Sequence, residues 1–143
     1  MSPAEHKACV QRMFDAFNTH DSAATAALFA PDAVLNDVAV PHVALGREQI
    51  AGVYARHFAA IPDAVIHVAR MVAEDDTVVA EWTIRGTQRG RFMGIPPTDR
   101  QVTITGVSII RFQGGLPVAD TRIWDLAGLL RQIGLLPNHP PEE

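Results

Sequence analysis

The chain has 143 residues, of which 48% are hydrophobic, and its formal net charge at pH 7 is −4. This length and composition predict a single globular domain and exclude a disordered chain. The 12 basic and 16 acidic residues form no long run of either sign. Nucleic-acid binding is therefore not expected, since it needs a basic surface that displaces counterions from phosphates.

Cysteine usage and hydropathy indicate where the protein works. The single cysteine, Cys9, excludes an intrachain disulfide and fits a reducing compartment. The first residues contain no apolar signal-peptide region, and no stretch of about 18 apolar residues occurs anywhere. We therefore expect a cytoplasmic protein with no membrane segment, in which Cys9 is a buried core thiol.

Helical patterns occupy most of the first 60 residues. Ser2 and Glu5 flank Pro3 in an arrangement typical of a helix start with a capping box. Apolar residues then recur at helical spacing (Val10, Met13, Phe14 and Phe17). Further helices are predicted over residues 23–29 and 47–59. Between these helices we predict a short strand over 33–40 and a loop that follows it.

From Pro62 the spacing of apolar residues changes from the helical period to an alternation typical of strands. Acidic residues at 74–76 and Gly114-Gly115 predict tight turns. A loop with two prolines covers residues 90–99, and a last helix follows Trp124. The predicted strands cover residues 64–73, 77–88, 101–112 and 116–124.

This order of elements predicts an α+β fold, in which N-terminal helices pack on a curved antiparallel sheet. One domain is expected over residues 1–136, with a frayed tail over 137–143. A curved sheet closed by helices leaves a conical hollow, and small-molecule sites favour such hollows.

Asp125 lies where the last strand meets the last helix. Its carboxylate can cap the helix by accepting from a free amide of the first turn. A side chain at such a junction can equally point into the mouth of a cavity. The position alone is consistent with a helix cap and with a catalytic carboxylate.

Several segments resemble one known family. Residues 86–98 read GTQRGRFMGIPPT, and the end of the chain carries Trp124-Asp125 followed by Gln132-Ile133-Gly134. Residues 17–21 (FNTHD) and 28–34 (LFAPDAV) add to the match. Together they resemble the SnoaL-like polyketide cyclase and ester cyclase family of the NTF2-like superfamily, whose fold is a cystatin-type cone.

The resemblance implies an enzyme of polyketide metabolism that needs no metal and no organic cofactor. It implies a small hydrophobic substrate that is cyclised by an intramolecular aldol condensation, or isomerised, with Asp125 as the acid/base. It also implies a homodimer or a dimer of dimers that associates through the outer face of the long sheet. The six histidines show no metal-ligand spacing (His6, His20, His42, His57, His67 and His139).

Two positions depart from the family pattern, which has histidines where this chain has Gln88 and Arg111. Gln88 can donate to an oxyanion but cannot transfer a proton. Arg111 would hold Asp125 ionised and stabilise an enolate if it faces inward. Facing outward, it would be a surface arginine.

Other residues are weaker candidates for substrate contacts. Trp82 can belong to the core or to the pocket wall, and Asn36 to a turn or to a polar contact. Phe17 and Tyr54 can instead belong to the hydrophobic core. Phe92 and Met93 lie in a loop that can form a lid or a dimer contact. The predicted substrate-binding set is Gln88, Trp82, Asn36, Phe92, Met93, Phe17 and Tyr54.

Two other functions remain open from the sequence. One is an epoxide hydrolase or epoxide-opening cyclase, in which Arg111 and Asp125 join a third residue, either Asp37 or Asp120. The other is a non-catalytic ligand-binding or dimerisation module, which rests on analogy with the fold alone.

Overall fold

Six strands and four helices make up the computed structural model, which describes residues 1–138. Residues 139–143, most of the predicted tail, lie outside the described residues. In chain order the elements are α1 (Pro3–Phe17), α2 (Ser22–Ala26), β1 (Val34–Asp37), β2 (His42–Leu45), α3 (Gly46–Ala60), β3 (Val65–Glu74), β4 (Thr77–Thr87), β5 (Gln101–Gln113), β6 (Leu116–Trp124) and α4 (Leu126–Gln132). The predicted α+β architecture, a curved and mainly antiparallel sheet packed by helices, is confirmed.

The start of α1 forms as the sequence predicts. The backbone amide of Glu5 donates to Ser2 Oγ at 3.1 Å, and the amide of Ser2 donates to Glu5 Oε1 at 3.2 Å. This reciprocal pair is the predicted capping box. The apolar stripe of α1, with Cys9 among it, is buried in the core.

The sheet has the strand order β2-β1-β6-β5-β4-β3. The four long strands pair antiparallel, as predicted, whereas β1 pairs parallel to β6. The prediction of a loop over β2 is wrong. This edge strand has four residues, three of them exposed, so it carries too little alternation to stand out in the sequence.

Helices α1 and α3 cover the concave face of the sheet, where side chains form rows across the strands. On β6, Asp120 stands beside Ile110 of β5, and Arg122 stands beside Ser108 of β5. The next row places Trp124 beside Gly106. A strand exposes alternate residues to one face, so Asp120, Arg122 and Trp124 all point to the covered side.

The opposite face of the sheet carries exposed apolar side chains, among them Val72, Val79, Ile109 and Ile123. Assembly through this face stays a prediction. Among residues 1–138, none of the helices is both long enough and apolar enough to cross a membrane.

Candidate active site

A cavity of about 70 Å³ lies between the concave face of the sheet and helices α1 and α3. Most of its wall is apolar, and aromatic rings from both layers contribute to it. The lining residues are Met13, Phe14, Phe17, Asp37, Tyr54, His57, Ala60, Ile61, Ala64, Ile66, Trp82, Ile84, Phe92, Ile104, Ser108, Ile110, Asp120, Arg122 and Trp124.

Three buried polar residues form a chain at one end of this cavity. Arg122 Nε donates to Asp120 Oδ2 at 3.4 Å, and Arg122 Nη2 donates to the hydroxyl oxygen of Tyr54. The guanidinium carbon lies 4.8 Å from the centroid of the Tyr54 ring, which adds a cation–π contact. Asp120 and Arg122 are two residues apart on β6, and Tyr54 reaches them from α3.

Within residues 1–138, only one of the two carboxylate oxygens of Asp120 is hydrogen-bonded. Its side chain is 2% exposed, and Oδ1 has no hydrogen-bond partner among the described residues. Leaving a buried acceptor unpaired costs about 1–3 kcal/mol, so such a group in a cavity points to a ligand. Burial raises the pKa of Asp120, although the nearby Arg122 opposes this shift.

Tyr54 is arranged to donate a hydrogen bond into the cavity. Burial raises the pKa of its phenol, against the opposing effect of Arg122, so the hydroxyl keeps its proton at neutral pH. The hydroxyl oxygen already accepts from Arg122, and the hydroxyl makes no other hydrogen bond within residues 1–138. The phenolic proton therefore remains available to an oxygen atom of a ligand.

Asp37 and Trp124 form a second polar contact at the edge of the cavity. Trp124 Nε1 donates to Asp37 Oδ1 at 2.8 Å, and the amides of Ala39 and Val40 donate to the same oxygen at 3.1 and 3.3 Å. Asp37 stands beside Arg122 in the parallel pairing of β1 with β6. Arg122 thus has a carboxylate on its own strand and another on the neighbouring strand.

His57 lines the cavity one helical turn after Tyr54. Burial, together with the positive charges of Arg122 and Arg56, lowers the pKa of His57 to about 3. The imidazole is therefore neutral at physiological pH and has both a donor and an acceptor nitrogen.

Trp82 lines the cavity from β4, on the same face of the sheet as Trp124. Its indole Nε1 donates to Ser108 Oγ at 2.9 Å. Trp82 and Trp124 approach each other over Gly106, where an added Cβ would lie 2.6 Å from Trp82 Cη2 and 2.8 Å from Trp124 Cβ. The missing side chain at Gly106 is what allows both indoles to face the cavity.

The family model described as SnoaL-like polyketide cyclase matches residues 7–133. The chain belongs to the SnoaL-like polyketide cyclase family. The predicted family is confirmed, and the match covers all six strands and the four helices except for the first residues of α1.

Solved structures of similar proteins agree with this assignment. AclR from Streptomyces galilaeus, a candidate hydroxylase, is 29% identical with a TM-score of 0.85, covering 97% of this chain and 91% of AclR. IdmH from Streptomyces antibioticus, a candidate polyketide cyclase, is 29% identical with a TM-score of 0.77, covering 90% of this chain and 98% of IdmH. A search of curated protein sequences gives no significant match.

A SnoaL-like polyketide cyclase candidate from Jannaschia sp. CCS1 has the same fold. It is 22% identical with a TM-score of 0.85, covering 96% of this chain and 98% of the Jannaschia chain.

Four of the predicted substrate-binding residues line the cavity of this SnoaL-like protein: Phe17, Tyr54, Trp82 and Phe92. Asn36 is half-buried on β1, between two residues that face the core, and Met93 is 51% exposed on its loop. Neither belongs to the cavity wall.

Gln88 is buried but is directed into its own loop. Its Nε2 donates to the carbonyl oxygens of Gly90 and Pro96 at 3.0 and 3.1 Å, and its Oε1 accepts from the amide and the hydroxyl of Thr98. All of its hydrogen-bonding groups are thereby occupied. Gln88 organises the loop and does not line the cavity.

Of the two predicted catalytic residues, neither lines the cavity. Asp125 is exposed, and its Oδ1 accepts from the amide of Gly128 at 2.8 Å, so it forms the N-cap of α4. Arg111 is exposed on the outer face of β5 and makes no ion pair with a described residue. The structure does not bring the two together, and a catalytic role for either stays a prediction.

Proposed function

We propose that this protein is a cofactor-independent acid/base enzyme that acts on a hydrophobic carbonyl compound, with Asp120 as the proton-transferring group. One observation carries the proposal. A buried carboxylate, one oxygen of which has no partner among residues 1–138, and a buried phenol with an available proton line the same apolar cavity. A base and an oxyanion donor in a dry site are what proton removal next to a carbonyl requires.

The first step proceeds from the geometry of the chain Asp120–Arg122–Tyr54. A substrate carbonyl oxygen accepts the phenolic proton of Tyr54 in a hydrogen bond, and Arg122 makes that phenol a stronger donor. Asp120 Oδ1 then takes a proton from the carbon next to the carbonyl. The electron pair of the C–H bond moves into an enolate, whose charge is stabilised by Tyr54 and Arg122.

In a cyclisation, the enolate carbon forms a bond to a second carbonyl carbon of the same molecule. The π electrons of that carbonyl become an alkoxide, which takes the proton now held by Asp120. The carboxylate is regenerated, and the step needs no oxidant, reductant or metal. An isomerisation differs only in that the proton returns to another carbon of the substrate.

The raised pKa of Asp120 suits both halves of this cycle. A carboxylate with an ordinary pKa is a weak base, and raising the pKa toward the working pH strengthens it. The acid formed in the first step remains able to protonate the alkoxide in the second step. Burial causes this shift, so opening the cavity to water would weaken the base.

Proton exchange tests the proposal without knowledge of the natural substrate. Cyclohexanone is incubated with the protein in D2O, and loss of its α-proton signal is followed by NMR. We expect exchange above the buffer rate, and a fall of about 10²-fold or more in Asp120→Asn and in Tyr54→Phe. Binding of the ketone without exchange in the wild type would favour the non-catalytic ligand-binding module instead.

Epoxide opening is a second candidate, because Arg122 lies between Asp120 and the strand position of Asp37. There, Asp120 takes a proton from water, the water oxygen attacks an epoxide carbon, and Tyr54 protonates the epoxide oxygen before recovering its proton from Asp120. The epoxide site predicted from the sequence, with Arg111 and Asp125, is not supported by the positions of these residues, which lie outside the cavity. Formation of ¹⁸O-labelled diol from cyclohexene oxide in H₂¹⁸O, without ketone exchange, would favour this candidate.

We also propose a homodimer that forms through the outer face of the sheet. Val72 of β3, Val79 of β4 and Ile109 of β5 are adjacent in register on that face, and all are exposed. An apolar row of this kind is typical of an interface. Sedimentation of the wild type and of Ile109→Lys tests this, with a shift toward monomer expected for the variant.

A further inference from the structure

His57 is a polar residue of the cavity wall that the proposed reaction leaves unused. It lies on α3 one turn after Tyr54, and both side chains line the cavity. Residues three apart on a helix share a face, so the two side chains approach the cavity from the same side. A polar ring in a mainly apolar wall needs a hydrogen-bonding partner.

The other polar side chains of the wall find partners within the protein. Each of them makes at least one hydrogen bond within residues 1–138: Asp37, Tyr54, Trp82, Ser108, Asp120, Arg122 and Trp124. Among the described histidines, His6 and His20 also have a hydrogen-bonded ring nitrogen. Neither ring nitrogen of His57 has a hydrogen-bond partner within residues 1–138.

The His57 nitrogens are within reach of a small molecule. Asp120 Oδ1 is the one side-chain polar atom within residues 1–138 that is both fully buried and unpaired, so the unpaired nitrogens of His57 are accessible. The residue as a whole is half-buried. A ligand that fills the cavity displaces water from such a nitrogen, and an apolar group in that place would leave it without a partner.

The imidazole is uncharged, which limits the groups that suit it. Its pKa is lowered to about 3 by burial and by the positive charges of Arg122 and Arg56. In the neutral ring one nitrogen donates and the other accepts. A hydroxyl group can bond to either nitrogen, and a carbonyl oxygen can accept from the protonated one. The matching ligand group is therefore an uncharged oxygen.

His57 is close to the place where the reacting carbonyl is expected to bind. The ring centroids of Tyr54 and His57 are 6.3 Å apart, with an interplanar angle of 80°. The hydroxyl of Tyr54 and the imidazole thus border neighbouring parts of the same cavity. One small molecule with two oxygens can bond to both residues.

We propose that His57 is a specificity-determining residue, which hydrogen-bonds a second, uncharged oxygen of the substrate while Tyr54 binds the carbonyl oxygen. The inference rests on the proposed function, because it takes the carbonyl contact with Tyr54 as given. It adds that the site selects a compound with two oxygens over the same compound with one.

Binding of phenol and of the three benzenediols tests this without any turnover. All four present one hydroxyl that can donate to Asp120 Oδ1 and accept from Tyr54. The benzenediols add a second hydroxyl at three different separations from the first. Dissociation constants are measured by calorimetry at pH 7 under nitrogen, for the wild type, for His57→Leu and for His67→Leu. His67 is the matched control, since it is exposed on β3 and lies outside the cavity wall.

We expect the wild type to bind at least one benzenediol about tenfold or more tightly than phenol. In His57→Leu the preference for that benzenediol over phenol should fall about tenfold, because the second hydroxyl loses its partner. In His67→Leu it should stay within about twofold of the wild-type value. An unchanged preference in His57→Leu, or a wild type that prefers no benzenediol to phenol, would overturn the proposal.

Nitrogen NMR of the wild type gives a second test that needs no folded variant. The imidazole nitrogen signals of His57 should shift several times further on saturation with the favoured benzenediol than on saturation with phenol, since only the former brings an oxygen to the ring. Equal shifts would contradict the contact. A protein that catalyses no α-proton exchange of ketones but passes both tests would refute the proposed function and retain His57 as a ligand contact.

Discussion

Arg122 donates a hydrogen bond to the hydroxyl oxygen of Tyr54 and lies with its guanidinium carbon 4.8 Å from the centroid of the same ring. Burial acts to lower the pKa of Arg122, but the effects of Tyr54 and Asp120 outweigh it, and the net shift is upward. The Arg122 guanidinium thereby links Asp120, the proposed base, to Tyr54, the proposed oxyanion donor. The pair of Arg122 and Tyr54 fixes where negative charge can develop in the cavity.

Tyr54 can be titrated on its own, because it is the one tyrosine in the sequence. Burial raises the pKa of its phenol above the ordinary value of 10.0. The absorbance of phenolate at 295 nm should therefore rise only above pH 10, with Tyr54→Phe as the blank. A midpoint at or below pH 10 would show that Arg122 stabilises the phenolate, and Tyr54 would then act as an acid that loses its proton.

His57 gives a prediction for stability in acid. Its pKa is about 3 in the folded protein, against 6.5 for the free side chain. Between these values the unfolded chain binds a proton that the folded protein does not, so the free energy of unfolding falls as the pH falls below 6.5. His57→Gln removes this loss, which should be about 3 kcal/mol by pH 4.

Urea unfolding of the wild type and His57→Gln at pH 7 and pH 4 measures that difference. Asp120, whose folded pKa is raised, contributes a change of opposite sign, but it is present in both proteins and cancels in the comparison. An NMR titration gives an independent check, since the imidazole signals of His57 should not shift between pH 8 and pH 4.5. A midpoint near 6.5 would contradict burial of the ring beside Arg122.

Gly106 is predicted to be essential for the packing of the two indoles. In Gly106→Ala the new methyl group meets Trp82 and Trp124 at distances under 3.0 Å. We expect a loss of about 1–3 kcal/mol in the free energy of unfolding, because overpacking forces side chains off their preferred rotamers. Gly52→Ala is the matched control, since the nearest atom to its methyl group is Arg56 Nη1 at 3.5 Å.

The control should stabilise the protein by about 0.5–1 kcal/mol, as alanine is the better helix former. Unfolding in urea gives both values. Equal stability of Gly106→Ala and the wild type would show that Trp82 and Trp124 move apart easily, and that the cavity is larger in solution.

Local patterns predicted most of the fold. The capping box of Ser2 and Glu5 predicts the start of α1, and the alternation of apolar and polar residues predicts the four long strands. Both signals depend only on residues that are close in sequence. The parallel pairing of β1 with β6 was not predicted. This pairing joins segments that are far apart in the chain, and the local sequence of Val34–Asp37 does not predict which strand it pairs with.

The site was predicted in part for the same reason. Trp82 and Tyr54 were found from their size and spacing, but Asp120 entered only as a possible third member of an epoxide site. The sequence does contain a pattern that points to Asp120, because Asp120 and Arg122 form a charged pair on one face of a mostly apolar strand. Only the packing of α3 shows that this face is the covered one.

Asp120 within β6 and Asp125 just after it make the most direct comparison. Asp120 is buried with a free oxygen, whereas Asp125 is exposed and caps α4. Asp120→Asn and Asp125→Asn are nearly isosteric, and asparagine is also a good N-cap, so both variants should fold.

The measurement is the rate of α-proton exchange of cyclohexanone in D2O by each variant and the wild type. We expect exchange to fall about 10²-fold or more in Asp120→Asn and to stay within about twofold in Asp125→Asn. Full activity of Asp120→Asn together with loss of activity in Asp125→Asn would contradict the assignment of Asp120 as the base.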